Sequence, residues 1–308
     1  MKKRLVTTTL AVALGFGSLG AIPVTKPIEA QAATINVQNN QQAVNAKADQ
    51  LISLAKSLIG KSTYSQAEYK KTYPYKFSCA TFINYIFEKS GVDLATYNED
   101  YMVKQGTYVP KSQLQKGDLV FFRSKTTGTD PDHVAMYIGD NKVIHMADPK
   151  QNIIIADMNS KPYYTQNYFT ARRVLPTLLP ANPATKGDKI VTSAYNLVDK
   201  AKLGSVNDPG TSRFTKLGFL NYVYNQNGVN LGTTSISELM KKGTTVSRSS
   251  LKKGDIVFFS GTIGSKTPTV AAIYAGDQRL IVPDSSKVIT RVILFDWYNQ
   301  RFITAKRF

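Results

Sequence analysis

The chain has one cysteine and only two histidines among its 308 residues. A single thiol excludes any disulfide within the chain. One cysteine and two histidines also fall short of a zinc site unless a carboxylate such as Asp132 or Asp148 completes the set. Long apolar runs are missing too. The nearest candidate, residues 5–22, is broken by Gly15, Gly17, Ser18 and Gly20 and lacks the length of a membrane span. Acidic residues are scarce, 21 against 39 Lys and Arg, which leaves a net charge of +18.

What is there begins with an export signal. Lys2, Lys3 and Arg4 precede the interrupted apolar run, and Ala30-Gln31-Ala32 supplies the small-x-small pattern of a signal-peptidase site. Residues 1–33 read as a signal peptide, so the mature chain is expected outside the cell. The style of the signal and the basic character point to a Gram-positive source. An unpaired cysteine in an exported protein is either buried and inert or a working nucleophile. The positive charge sits mainly late in the chain: residues 44–175 hold 17 basic and 12 acidic residues, residues 189–308 hold 17 and 7. Outside the cell such a surface meets anionic wall polymers rather than nucleic acid, unless it is only a solvated face.

The chain repeats itself at an offset of 137. Residues 101–122 match 238–259, including Lys116-Gly117-Asp118 against Lys253-Gly254-Asp255, and the match extends from Phe77 and Phe214 to Asp140 and Asp277. Two copies of one fold are therefore expected, in residues 44–175 and 189–308. A stiff Pro-rich linker at 176–188 joins them, and a Gln/Asn-rich disordered lead-in occupies 34–43. Within the first copy, Leu51, Leu54, Leu58 and Ile59 recur at helical spacing before Gly60. Ser78 is a good N-cap for a second helix that ends before Gly91. Short β-rich runs follow at 119–122, 134–138, 142–146, 153–156 and 169–174, with a hairpin turn at Gly139-Asp140-Asn141. The layout is α+β, helices packed on an antiparallel sheet.

The three scarce residues all lie in the first copy. The second has Lys216, Val270 and Val282 in their places. Cys79 follows the Ser78 cap, where the open N–H groups of a first helical turn lower a thiol pKa. His133 opens a strand from which it could take the thiol proton and later protonate a leaving amine. His145, on the next strand, could orient that imidazole. A two-residue turn at Asp140-Asn141 would leave the two rings on opposite faces of the sheet. A bulge, or a loop one residue longer or shorter, brings them together, and that is the expectation.

Three segments carry a resemblance: Phe77-Ser-Cys-Ala-Thr-Phe-Ile-Asn-Tyr-Ile-Phe87, Leu114-Gln-Lys-Gly-Asp-Leu-Val-Phe-Phe122 and His133-Val-Ala-Met-Tyr-Ile-Gly-Asp-Asn-Lys-Val-Ile-His145. In this order and spacing, across about residues 47–175, they resemble the NlpC/p60 family of bacterial cell-wall cysteine peptidases. The resemblance implies a papain-like α+β fold in each copy, with Cys79 as nucleophile, His133 as base and His145 as the polar third residue. It implies hydrolysis of peptidoglycan stem peptides, typically between D-glutamate and a diamino acid, through a thioester, with no metal or organic cofactor. Tyr64 matches the family tyrosine whose hydroxyl assists the oxyanion.

Two departures stand out. Ser78-Cys79-Ala80-Thr81 replaces the family's Asp-Cys-Ser-Gly, and nothing of its Trp-Gly-Gly survives at 65–67. Both changes fall where the family grips the N-terminal side of its substrate, so a wall amidase or a γ-glutamyl polymer hydrolase stays open. So does a non-catalytic wall-binding or scaffold protein. The second copy keeps the fold-setting words and none of the reactive groups, and Lys216 opposes the dipole of its helix. It reads as catalytically inert.

Overall fold

The computed structural model describes residues 28–123 and 130–308. The predicted signal segment lies outside them except for its last six residues. No helix among the described residues is long and apolar enough to cross a membrane. In chain order the first half contains α1 (Ile28–Ser57), β1 (Ser62–Tyr64), β2 (Tyr75–Phe77), α2 (Cys79–Lys89), α3 (Glu99–Met102), β3 (Thr107–Tyr108), β4 (Leu119–Phe122), β5 (His133–Gly139), β6 (Lys142–Met146), β7 (Ile153–Asp157), α4 (Pro162–Gln166) and β8 (Tyr168–Arg173). Then come α5 (Leu175–Leu178), α6 (Lys186–Tyr195), β9 (Lys202–Leu203), β10 (Arg213–Phe214), α7 (Lys216–Asn225) and α8 (Ile236–Lys241). The chain ends with β11 (Thr244–Val246), β12 (Ile256–Ser260), β13 (Pro268–Gly276), β14 (Arg279–Pro283), β15 (Val288–Val292), α9 (Asp296–Arg301) and β16 (Phe302–Arg307).

Two six-stranded antiparallel sheets have the same strand order, β3-β8-β4-β5-β6-β7 and β11-β16-β12-β13-β14-β15. Each is covered on both faces, which explains why β4 is an unbroken apolar run, Leu119–Phe122, buried throughout. Alternation sends Phe121, Val134, Met136 and Ile144 toward α1 and α2, and Val120, Phe122, Ala135 and Val143 toward α4. On α1 the stripe Val44, Ala48, Leu51 and Ala55 is buried at helical spacing, and Leu58, just past the helix end, is buried with it. Each fully buried Phe or Leu in these layers contributes about 2 kcal/mol relative to exposure.

The repeated Lys-Gly-Asp word is fold chemistry. Gly117 takes φ +87°, and a Cβ there would press on Leu175 and Ala48. Asp118, 2 % exposed, accepts from Arg173 Nε and Nη2 at 2.9 and 2.8 Å. Asp255 and Arg307 repeat this bidentate pair at 2.7 and 2.8 Å. A buried carboxylate needs such a partner, and the partner ties the turn to the adjoining strand.

Two expectations change. Residues 34–43, predicted as a disordered lead-in, belong to α1. Thr34, Ile35, Val37 and the three Asn are weak helix formers, so the helix here is carried by its docked half, from which it extends without a new nucleus. The predicted linker 176–188 is partly structured: it begins inside α5 and ends inside α6, where Asp188 is buried and paired with Lys253 at 2.9 Å. The halves also touch. Arg279, 1 % exposed, donates to Thr177 O at 2.9 Å and Gln105 Oε1 at 3.3 Å, while Asp277 accepts from the Gly106 N–H at 2.8 Å.

Candidate active site

The α2 helix starts where its cap makes it start. The Ser78 hydroxyl accepts from the Thr81 N–H at 3.3 Å, and Thr81 Oγ1 accepts from the Ser78 N–H at 2.7 Å. Cys79 is therefore the first helical residue, as the sequence predicts. It is also 7 % exposed, in the apolar cluster with Phe77 and Phe82. Burial pushes its thiol up to about 11, with the Glu99 charge adding to the effect. The backbone N–H groups of Val134, Ala80 and Cys79 act in the opposite direction. The expected depression of the thiol pKa is thus reversed, because desolvation outweighs the helix start. The thiol rests protonated at neutral pH.

His133 is the first residue of β5 and His145 the fourth of β6. Asp140 and Asn141 form a two-residue turn at φ 50° and 56°. On its own that turn would separate the rings. The register shifts between Tyr137 and Gly139, however: Tyr137 opposes Val143, while Gly139 opposes Lys142. This one-residue bulge returns both histidines to one face. His133 Nε2 lies 2.8 Å from His145 Nδ1, with the rings edge to face at 81°. Burial pushes His133 down to about 4 and, with the neighbouring His133 adding, His145 down to about 3. Both imidazoles are neutral at pH 7.

A tyrosine that sequence reasoning did not single out extends the chain of contacts. The Tyr164 hydroxyl lies 3.1 Å from His145 Nε2. If His145 donates from Nε2 to Tyr164, its Nδ1 accepts from His133 Nε2–H, and the lone pair of His133 is left on Nδ1. That is the tautomer a general base requires. Tyr163 lies 5.7 Å from Phe122, ring on ring, and edge-on to His133 at 6.3 Å. The cavity over the pair is about 320 Å³, lined by His133, His145, Asp148, Gln151, Lys161 and Tyr163. No periodic signal marks the tyrosines. Only their place before a predicted strand could have drawn attention to α4.

The structure brings His133 and His145 into direct contact. Cys79 reaches them less directly: the Val134 N–H that opposes the rise in its pKa follows His133 in the chain, and no hydrogen bond joins the thiol to His133. Catalytic hydrogen bonds commonly tighten only when substrate is bound. Tyr64 packs against the apolar cluster that holds Cys79. Its hydroxyl accepts from Gln66 Nε2 at 2.5 Å, and its N–H donates to Asn152 at 2.8 Å. In the second half, Lys216 begins α7 after the Thr215 cap, and Val270 and Val282 sit on β13 and β14.

Comparison with known proteins gives the chain a family. The family model described as "NlpC/P60 family" matches residues 61–173 and 210–307. Over 262 residues, 84 % of this chain and 60 % of the relative, the chain is 30 % identical to the gamma-DL-glutamyl hydrolase of Bacillus subtilis. It is 35 % identical over 129 residues to the gamma-D-glutamyl-L-lysine dipeptidyl-peptidase of Bacillus cereus, covering 42 % of this chain and 37 % of that one. The chain thus spans about two fifths to three fifths of the length of these relatives. A crystal structure of an NlpC/P60 family protein from Bacillus cereus superposes with a TM-score of 0.38 at 34 % identity, covering 42 % of this chain and 40 % of that one. With both segments matched by the family model, the chain belongs to the NlpC/P60 family.

Proposed function

We propose that this chain is an exported cysteine endopeptidase that opens peptidoglycan stem peptides, at a bond between D-glutamate and a diamino acid. The observation that carries the reading is the buried His133–His145 contact of 2.8 Å beside the helix that starts at Cys79. Cys79 Sγ attacks the scissile carbonyl carbon while its proton passes to His133 Nδ1. The C–N bond then breaks, and the same proton goes to the departing amine. Water next attacks the thioester, gives one proton to His133 and releases the carboxylic acid, and Cys79 recovers its proton. His145 Nδ1 accepts from His133 Nε2–H at 2.8 Å, which holds the ring and stabilises its transient positive charge by that hydrogen bond alone. Tyr64, whose own O–H proton remains available, donates to the oxyanion.

The second half, 189–308, is proposed to be catalytically inert. Val270 and Val282 cannot move protons, and the basic excess suits attachment to anionic wall polymers. A second substrate reading is favoured by one finding. The relative matched across most of this chain is named a gamma-DL-glutamyl hydrolase, so a γ-glutamyl polymer is the alternative substrate. Digests of purified peptidoglycan and of poly-γ-glutamate, read by mass spectrometry, separate the two. New stem-peptide fragments that vanish with Cys79→Ala are the expected result. Fragments from the γ-glutamyl polymer alone would transfer the reading to it, and none from either would overturn it.

A further inference from the structure

We propose that the cleft at the start of α7 is a non-catalytic binding site for a peptide bearing a free carboxylate and small apolar side chains. This rests on the reading that the second half is inert. The cleft is a cavity of about 480 Å³. It occupies the position of the first-half site, with Lys216 standing for Cys79 and Val270 for His133. Losing the reactive groups has left the space open rather than filled.

The chemistry of the lining is one-sided. The Lys216 ammonium has no hydrogen-bond or ion-pair partner among the described residues. Asn207 is held in place, because its Oδ1 accepts from the Thr215 N–H at 2.8 Å and from Thr215 Oγ1 at 3.2 Å. Gly218 makes room for it, since a Cβ there would overlap Asn207 Oδ1. With its oxygen engaged, Asn207 presents its amide NH₂, which has no acceptor of its own among the described residues. Among the described residues no Asp or Glu lines the cleft, and Leu220, Ile236, Val270 and Ala271 provide apolar surface.

A cation and an amide donor without acceptors, beside an apolar floor, complement a carboxylate flanked by methyl-sized groups. Peptidoglycan stem peptides have that composition: alanines, the α-carboxylate of a γ-linked D-glutamate and a C-terminal carboxylate. A polyol-phosphate polymer supplies the charge but no apolar side to cover Leu220 and Val270. A stem peptide held here would keep uncut wall near the first site and raise its local concentration.

The test uses the full mature chain carrying Cys79→Ala, titrated with L-alanyl-γ-D-glutamyl-L-lysyl-D-alanine and read by hydrogen exchange. Protection of residues 215–221 and 268–272 is expected, distinct from any protection of 79–82 and 133–146. Lys216→Gln should weaken the second-half protection roughly tenfold, the loss of one charge-assisted hydrogen bond, and leave the first-half protection unchanged. Val270→Trp, which fills the cleft, should abolish it. The proposal is overturned if the second half stays unprotected at roughly 1 mM peptide. It is also overturned if Lys216→Gln binds as well as the parent, or if an amidated peptide or a polyol-phosphate polymer protects equally. Stem-peptide cleavage by the intact Cys79 chain is scored separately. Second-half protection without cleavage would refute only the enzyme reading, and cleavage without that protection would refute only this one.

Discussion

Replacing Tyr164 by Phe removes one hydroxyl and leaves the ring that packs on Phe122 at 5.7 Å. The lost contact is the 3.1 Å hydrogen bond to His145 Nε2, in a site where His145 is 2 % exposed. His145 and Tyr164 both line the cavity of about 320 Å³, so water can take part of the vacated place and the loss should cost no more than about 1 kcal/mol in stability. The catalytic consequence follows from the tautomer. Without Tyr164 as acceptor, His145 can carry its proton on Nδ1 and donate to His133 Nε2. A neutral His133 then has its own proton on Nδ1 and cannot accept one from the thiol. Losing a preference worth about 1.4 kcal/mol shifts the productive fraction about tenfold. Tyr164→Phe should therefore lower kcat about tenfold on a stem-peptide substrate, with KM within about twofold. Tyr298 is the control. It packs on Phe259 at 5.1 Å in the equivalent place, and its hydroxyl makes no hydrogen bond among the described residues. Tyr298→Phe should leave kcat unchanged. If Tyr164→Phe keeps its kcat, or if both variants lose the same activity, the hydroxyl does not set the tautomer.

Two further outcomes concern stability. His133 and His145 titrate near 4 and 3 in the folded chain, against an ordinary value near 6.5, so the unfolded chain binds more protons below that pH. Their contribution is complete above about pH 6.5 and is lost as the pH falls toward the folded values. Between pH 7 and 5 this amounts to about 2 kcal/mol per ring. In urea unfolding, a His133→Gln, His145→Gln double variant should lose less stability over that interval than the parent; equal losses would refute the assignment of neutral buried rings. The Arg279 contact between the halves should be worth far more than a surface pair. Arg279→Met should cost about 3 kcal/mol, because the Thr177 and Gln105 oxygens lose their donor and Asp277 loses its counter-charge. Lys287→Met, which removes an exposed 3.1 Å pair with Asp199, should cost at most about 0.5 kcal/mol. Similar costs would mean that the buried contact is not a lock.

How legible each feature was depends on the range of the force behind it. The start of α2 is local, a cap and one helical turn, and Ser78 announces it. Strands β4 to β8 fall within a residue or two of their expected limits, because a sheet covered on both faces demands apolar runs such as 119–122. The placement of the two histidine rings was legible only as a choice, since the turn length and the bulge had to be known together. Tyr164 was not legible. It lies 19 residues beyond His145 in a five-residue helix, and it matters only because α4 closes over the sheet. Arg279 was hidden for a different reason: nothing local distinguishes a buried arginine from a solvated one until Thr177 and Gln105 arrive from the other half. For Cys79 the sequence shows the helix start, which lowers the thiol pKa, but not the surrounding core, whose desolvation raises it.

The bulge separates what belongs to the fold from what belongs to the chemistry. In the second half Tyr274 opposes Leu280 and Gly276 opposes Arg279, the same one-residue shift that Tyr137 and Gly139 make in the first. Asp277 and Gln278 take positive φ as Asp140 and Asn141 do. This turn therefore aligns Val270 and Val282 on one face although neither has a proton to exchange, and both pack in the same apolar cluster with Phe259. Had the bulge arisen to pair imidazoles, nothing would hold it in a half that has none. Its persistence follows instead from the Gly-Asp turn and the sheet packing that both halves share. The two histidines of the first half occupy positions that the fold had already brought together. A His133→Val, His145→Val double variant should accordingly fold with the hairpin unchanged.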